Sequence, residues 1–328
     1  MTVSRFVVSV AKVMTGVGLA VAAYVFFEYY VAKHNWRYQT FRLVGEVVQI
    51  NICPLASTKE ICPEEVLCTP KGISLFGVHD REFFITRTKG PDFAVESPSK
   101  LVKEYFSESF RELEAYADIN VLTINAPSGQ NYDIDLTHSE HSHGPAQVYR
   151  ASSIVAASDQ GKKISSWLSQ ELGEEVHLFR QTDDIMMKFN RSNMAMCSIC
   201  PEESVRHIQQ KFGLPSIVTA SFFRPNVIIT GCKALEEQWW SHVRIGDVYF
   251  QVKSQDIRVI SGGSFVTYMP TLEIPAKIRH LKRLTSYGEA ISVGVNALVV
   301  KAGNIRIGDP VFASKHYGYA AEDDKGVE

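Results

Sequence analysis

Hydrophobic positions along this chain follow two regimes. Between residues 6 and 32 the run FVVSVAKVMTGVGLAVAAYVFFEYYVA is apolar apart from Lys12 and Glu28. A helix of that length crosses ~30 Å of hydrocarbon at ~1.5 Å per residue, so the pattern predicts a single transmembrane helix. Lys12 can snorkel at one end, and Tyr24, Tyr29, Tyr30 and Trp36 mark the other interface. A cleaved signal peptide would have a shorter apolar core and a small-residue cleavage site. A charged, aromatic flank follows here instead, which favours an uncleaved anchor. Lys33, Arg37 and Arg42 after the span outnumber Arg5 and Lys12, placing the main body on the cytosolic side.

From Phe41 onward the pattern becomes alternating. Val44, Val48, Ile50 and Ile52, with Glu46, Gln49 and Asn51 between them, read as a half-buried strand. Further strands are predicted at 82–88, 120–126, 147–151, 175–180, 227–230 and 248–253, set apart by Gly, Pro and Ser turns. Helical spacing predicts a helix over 158–173, capped by Ser158 or Asp159, buried along Ile164, Trp167, Leu168 and Leu172, and ended by Gly173. A second helix, 201–213, opens on Pro201, Glu202 and Glu203. Residues 99–117 have helical propensity, 234–240 form a short amphipathic piece, and 275–287 read as a basic helix.

Turn residues add a topology. Arg244-Ile245-Gly246-Asp247 leads into one strand, and the same four residues recur at Arg306-Ile307-Gly308-Asp309 before Val311 and Phe312. Gly tolerates positive φ and Asp bonds its own backbone, so each copy is a turn. Two copies of one hairpin device predict a β-barrel that turns the same corner twice, with Ile245 and Ile307 both buried. Pro225 pushes the residue before it towards an extended conformation, which would present Arg224 at the mouth of strand 227–230. The expected class is therefore mainly β with helices (α+β). It comprises an anchor segment (1–40), a β-rich subdomain (41–175), a barrel domain (176–320) and a polar tail (321–328).

Composition narrows the function. The length of 328 residues gives ample core for stability without staples. With 34 basic and 36 acidic residues, nothing favours nucleic acid. Six cysteines, Cys53, Cys62, Cys68, Cys197, Cys200 and Cys232, are too sparse for a secreted disulfide scaffold and read as free thiols. Cys197-Ser198-Ile199-Cys200 lacks the second pair a zinc site needs, so core cysteines are expected. His138, His141 and His143 lie in a Ser- and Gly-bearing loop and read as solvated, so no metal site is assigned.

Five stretches in order carry a resemblance: Ile52-Cys53-Pro54-Leu55-Ala56-Ser57; GISLFGVHDREFFI from Gly72; FRPN from Phe223; RIGDV from Arg244; and Asn304 to Phe312, which contains IGDPV. Together they resemble the MOSC-domain family, and within it the mitochondrial amidoxime-reducing components. The resemblance implies a MOSC-type β-barrel with an N-terminal β-rich subdomain, behind an anchor in the mitochondrial outer membrane. It also implies a molybdenum cofactor (molybdopterin) in the cleft, its phosphate held by basic and hydroxyl groups and its metal by a protein cysteine. Matching positions are Ser57, the Asp80-Arg81 pair, Arg224, Asn226 and Arg258. An arginine fork suits phosphate because two parallel charge-assisted bonds fix its orientation.

Departures from the pattern are as informative. The family's lysine before the serine is Ala56, and its Thr-Ser pair falls on Met194 and Ala195. Where the family has Cys-Ser-Arg-Cys, this chain has Asp256-Ile257-Arg258-Val259. Asp256 therefore stands at or near the metal-binding position with a hard oxygen donor in place of a thiolate, or it forms a salt bridge. Two functions stay open. One is an anchored molybdenum oxidoreductase that reduces N-hydroxylated compounds with electrons from a haem or flavin partner. The other is a non-catalytic, membrane-tethered anion-binding or structural subunit.

Overall fold

A computed structural model describes residues 37, 39–87, 102–103, 107–137, 146–150, 153–182, 197–212, 216, 218–261, 264–265 and 290–315. Its strands run in chain order as β1 (Arg42–Ile50), β2 (Glu65–Thr69), β3 (Gly72–Leu75), β4 (Val78–His79), β5 (Phe83–Arg87), β6 (Val102–Lys103), β7 (Glu114–Asp118), β8 (Val121–Asn125), β9 (Asn131–Asp135), β10 (Ala146–Arg150), β11 (Ser153–Asp159) and β12 (Val176–Gln181). There follow β13 (Cys197–Pro201), β14 (Val227–Thr230), β15 (Trp240–Ile245), β16 (Val248–Ser261), β17 (Ser264–Phe265), β18 (Ala290–Lys301), β19 (Gly303–Arg306) and β20 (Pro310–Lys315). Two α-helices are interspersed, α1 (Lys162–Leu172) and α2 (Glu202–Phe212).

The order β15-β20-β1-β14-β13-β18-β16, closed by pairing of β15 with β16, makes a seven-stranded barrel. Closure removes the free edges that an open sheet of these apolar strands would expose. Its interior is filled by Val47, Ile50, Ile199, Val227, Ile229, Val243, Ile245, Phe250, Val295 and Val311. β13 and β14 pair in parallel, so the chain between them must cross over. α2 lies on that crossover and covers the outer side with Val205 and Ile208, against Cys200 and Ile228. β13 is buried throughout: Cys197 and Ile199 point into the barrel and Cys200 into the helix layer. The cysteines are free, and the CxxC is a core strand.

A second lobe packs the sheet β5-β12-β11-β10-β6 and the meander β7-β8-β9 with α1. Its core includes Phe83, Ile85, Phe110, Leu122, Ile164, Leu168 and Leu178. The two lobes meet on the loop after β1. Ile52 belongs to the barrel core, Leu55 to the second lobe, and Ala56 to a small cluster with Phe84, Val148 and Phe179.

Several expectations need correction. Residues 114–117 are not helical: they form β7, antiparallel to β8, after a short 3-10 turn at Glu108–Glu112. Ala115 and Ala117 are buried there in alternation with outward Tyr116, so sheet pairing overrides helical propensity. α1 starts at Lys162 behind an N-cap at Gly161, later than predicted, because Ser158 and Asp159 still pair with β12.

The two Arg-Ile-Gly-Asp units are not the same device. Gly246 and Asp247 close a hairpin between β15 and β16. The second copy joins β19 to β20, which pair with different partners, and Ile307 is 45% exposed. Arg224 is not extended: it adopts φ 52°, ψ 48° as the cap of the 3-10 turn Ala220–Phe223. Its N–H donates to the Ser221 carbonyl at 2.9 Å, a turn closure that outweighs the steric preference set by Pro225.

Among the described residues no helix is long and apolar enough to cross a membrane. The predicted span 6–32, the histidine loop from His138 to His143, Met194, Ala195 and the predicted helix 275–287 lie outside them.

Candidate functional site

The loop 53–60 leaves β1 and returns through the bridge between Ile52 and Ile61. Two chain turns grip it. On one side the Asp80-Arg81 turn docks: Arg81 N–H donates to the Cys53 carbonyl at 2.6 Å, and Cys53 N–H to Asp80 Oδ1 at 2.7 Å. Phe83 N–H donates to the Pro54 carbonyl and Ala56 N–H to that of Phe83, continuing the grip. On the other side stands the Arg224-Pro225-Asn226 turn. Arg224 donates through Nη2 to the Thr58 carbonyl and through Nε to Glu60 Oε1 at 2.6 Å.

Asn226 links the turns. Its Oδ1 accepts both the N–H and the hydroxyl of Ser198, at 3.0 and 3.1 Å. A backbone donor fixes that end of the amide as oxygen, so Nδ2 must donate, and it reaches Asp80 Oδ2 at 2.9 Å. Asp80 thus accepts from Cys53 N–H, from Asn226 and from the Arg81 guanidinium. Arg81 Nη2 in turn donates to the Arg224 carbonyl at 3.4 Å.

The backbone here is unusual. Ser57 (φ 71°), Arg81 (φ 55°) and Arg224 (φ 52°) all occupy the left-handed region, which for such residues costs of order 1–3 kcal/mol each. Ser57 is 6% exposed, and its hydroxyl has no hydrogen-bond partner among the described residues. A buried orphan hydroxyl costs about 1–3 kcal/mol unless a ligand satisfies it. Beside Arg224 lies the buried Cys53 thiol, 3.5 Å from Nη2, with the Leu55 carbonyl 2.9 Å away as its acceptor. Burial pushes this thiol's pKa up against the pull of Arg224 and Arg81, so it stays protonated at neutral pH.

Arg81, Arg224 and Asn226 are therefore brought together against loop 53–60, on which Ser57 lies. Asp256 and Arg258 are not tested in the same way: β16 runs through them, but their side chains lie outside the described part. The pairing of β16 with β18 slips between Gln255 and Ile257, so Asp256 sits in a break of the ladder. Ala56, where the resemblance implies a lysine, packs into the apolar cluster with Phe84 and Val155. Sequence reasoning missed Cys53, Thr58, Glu60 and Ser198 as members. Cys53 and Ser198 lay inside stretches already singled out, but nothing local marked Glu60.

As a test for a pterin phosphate and its metal, the donor set divides. The orphan Ser57 hydroxyl and two arginines on strained turns fit a phosphate. For a metal the described residues offer less: the Cys53 thiol is buried with the Leu55 carbonyl as its acceptor, and among the described residues no group of three or more His, Cys, Asp or Glu side chains could hold an ion. A surface cavity of about 590 Å³ lies elsewhere, over 42–46 and 230–233, and none of these residues lines it.

Comparison with known proteins agrees with the architecture. Residues 44–175 match the MOSC N-terminal beta barrel domain and residues 187–312 the MOSC domain. The chain belongs to the MOSC-domain family. It is similar to mitochondrial amidoxime-reducing component 1 of Danio rerio, 22% identical over 86% of this chain and 89% of that protein. The Homo sapiens protein of the same name is 23% identical over 84% of this chain and 85% of its own length. Molybdenum cofactor sulfurase of Bos taurus is 25% identical over 40% of this chain and 18% of that protein.

Proposed function

We propose that this chain is a MOSC-domain protein whose cleft takes a phosphate-bearing ligand, of the kind a pterin cofactor carries, without holding molybdenum through a thiolate. One observation carries the reading: Arg81 and Arg224, both at positive φ, dock from separate turns on loop 53–60, which itself carries Ser57 at positive φ. Strained conformations persist where the surroundings over-determine them, and they cluster at ligand sites. Ser57 would donate its hydroxyl to a phosphate oxygen, Arg81 and Arg224 would orient the group, and Asn226 would hold the Asp80-Arg81 turn in place. Against a bound metal stands the segment Asp256-Ile257-Arg258-Val259, which has no sulfur. Residues 6–32 would tether the protein to a membrane, and kinship with mitochondrial proteins favours the mitochondrion.

A second reading is a reductase of N-hydroxylated compounds, supplied with electrons by a haem or flavin partner. Its support is kinship to amidoxime-reducing components over most of the chain. The molybdenum cofactor would then supply the redox chemistry, and this chain's part would be to bind its phosphate.

One experiment separates the two. The full-length protein is expressed in a host that makes the cofactor, molybdenum is measured by mass spectrometry, and N-reduction is assayed with a supplied electron-transfer chain. The expected result is metal far below stoichiometric and no turnover, with Asp256→Cys the single change that raises retention most. Stoichiometric molybdenum with turnover in the wild type would overturn the first reading and establish the second. Recovery of the protein in an alkaline carbonate supernatant would remove the tether from either.

A further inference from the structure

We infer that the outer face of β20, β15 and β16 lies against a lipid bilayer, with the loop 53–60 cleft turned away from it. This rests on the reading that residues 6–32 tether the protein to a membrane. Strand register places five outward side chains in one row across neighbouring strands: Leu43, Phe312, Arg244, Tyr249 and Lys301. Their neighbours along the strands, such as Val311, Ile245 and Phe250, fill the core, so the row points away from the barrel interior. Its two cations each sit beside an aromatic ring. Arg244 Cζ is 4.0 Å from the Phe312 centroid, and Lys301 Nζ is 5.4 Å from that of Tyr249. No member of the row is acidic, and Leu43 is 64% exposed. Membrane interfaces collect this mixture: rings and long stems take the apolar side, and cations meet headgroup phosphates and an anionic leaflet.

The course of the chain selects this face from the others of the barrel. Before β1 begins, residues 39–41 cross it: Gln39 Oε1 lies 3.5 Å from Ser241 Oγ on β15, and the Phe41 ring meets Tyr249 of β16 edge-on at 5.5 Å. From Ala32, the end of the tether, to Gln39 the chain can reach at most about 25 Å at ~3.6 Å per residue. In the closed order β15-β20-β1-β14-β13-β18-β16, the side opposite β15 falls between β14 and β13. From that side the Arg224-Pro225-Asn226 turn enters β14, and α2 covers it. One orientation therefore satisfies both ends of the molecule. The row rests on lipid, and the cleft opens to the aqueous phase, where a phosphate-bearing ligand reaches it. The short link to the bilayer is what favours lipid over a protein as the occupant of this face.

Photocrosslinking of the full-length protein, reconstituted in vesicles of phosphatidylcholine and phosphatidylserine, tests this. Benzoylphenylalanine replaces Tyr249, Phe312 or Leu43 in the row and, on the opposite side, the exposed Arg206 of α2. Leu43, outside the core, reads the same contact should either aromatic replacement unfold the barrel. Lipid adducts are expected at the row and several-fold fewer at Arg206. Lys301→Ala should cause a several-fold loss of adducts at Tyr249 in these vesicles and little loss in phosphatidylcholine alone, because its charge answers to an anionic surface. Alkaline carbonate extraction of the same vesicles reads the tether separately. Carbonate-resistant protein that lacks lipid adducts at the row, forms them equally at Arg206, or forms protein adducts at the row instead overturns the inference and leaves the tether standing. Lipid adducts at the row of protein that carbonate releases overturn the tether and leave the face. Released protein with no lipid adducts overturns both.

Discussion

Arg244-Ile245-Gly246-Asp247 and Arg306-Ile307-Gly308-Asp309 are the same four residues in two places on one barrel, and they behave differently. In the first, Ile245 is sealed in the core, Gly246 takes φ +53°, and two residues suffice to join paired neighbours. In the second, the strands on either side do not pair, so the turn docks on β1 instead. Gly308 N–H donates to the Val47 carbonyl at 2.8 Å and Val47 N–H to that of Asp309 at 3.0 Å. Asp309 Oδ2 accepts the Arg306 N–H at 2.8 Å, closing the corner, while Ile307 faces outward. The copies also touch: a Cβ on Gly246 would lie 3.2 Å from Asp309 Oδ2. A turn motif therefore specifies a local bend, and the partner strands decide which side chain is inside.

Mutations can break this comparison or sharpen it. Ile245→Ala leaves a cavity in the barrel and is expected to lower unfolding free energy by roughly 2–5 kcal/mol in a urea titration. A loss under about 0.5 kcal/mol would contradict its place in the core. Gly246→Ala forces an ordinary residue into a left-handed conformation beside Asp309, and about 1–2 kcal/mol is expected. Adding Asp309→Ala should recover part of that loss if the close approach matters. Strict additivity in the double-mutant cycle would assign all of it to backbone strain.

Asp309→Ala alone removes the acceptor of Arg306 N–H and should cost about 1 kcal/mol, whereas the exposed Asp247→Ala should be close to neutral. Equal effects at the two aspartates would erase the distinction between the turns. Ile307→Ala should change stability by no more than about 0.5 kcal/mol, because the side chain has little burial to lose. A loss matching that of Ile245→Ala would show that the second corner is covered in the intact protein.

The candidate site was legible to a similar, partial degree. Ser57, Arg81, Arg224 and Asn226 could be singled out because each lies in a short stretch with family character. Their meeting could not be read locally: Asp80 and Asn226 are 146 residues apart, and Arg224 and Glu60 are 164 apart. Glu60 lies in the stretch Thr58-Lys59-Glu60-Ile61, which looks like an ordinary solvated face. Its pairing follows only from the fold, because Arg224 arrives from the far end of the chain. Ala56 shows the opposite case. As a missing lysine it read as a lost ligand, but the fold makes it part of an apolar cluster, where an ammonium would be costly to bury.

What the sequence determined by itself was the class of structure. Alternation of period two, turn residues and caps act within a few residues, so β14, α1, α2 and the β15–β16 hairpin were foreseeable from their own segments. Tertiary structure decided what those rules leave degenerate. It made a strand of 114–117, because pairing with β8 buries Ala115 and Ala117. It turned Arg224 left-handed, because a closed 3-10 turn and the carbonyl contact from Arg81 outweigh a preference set by one proline. It buried one Arg-Ile-Gly-Asp isoleucine and exposed the other. Local free-energy differences of about 1 kcal/mol are settled by long-range burial and pairing worth several times more.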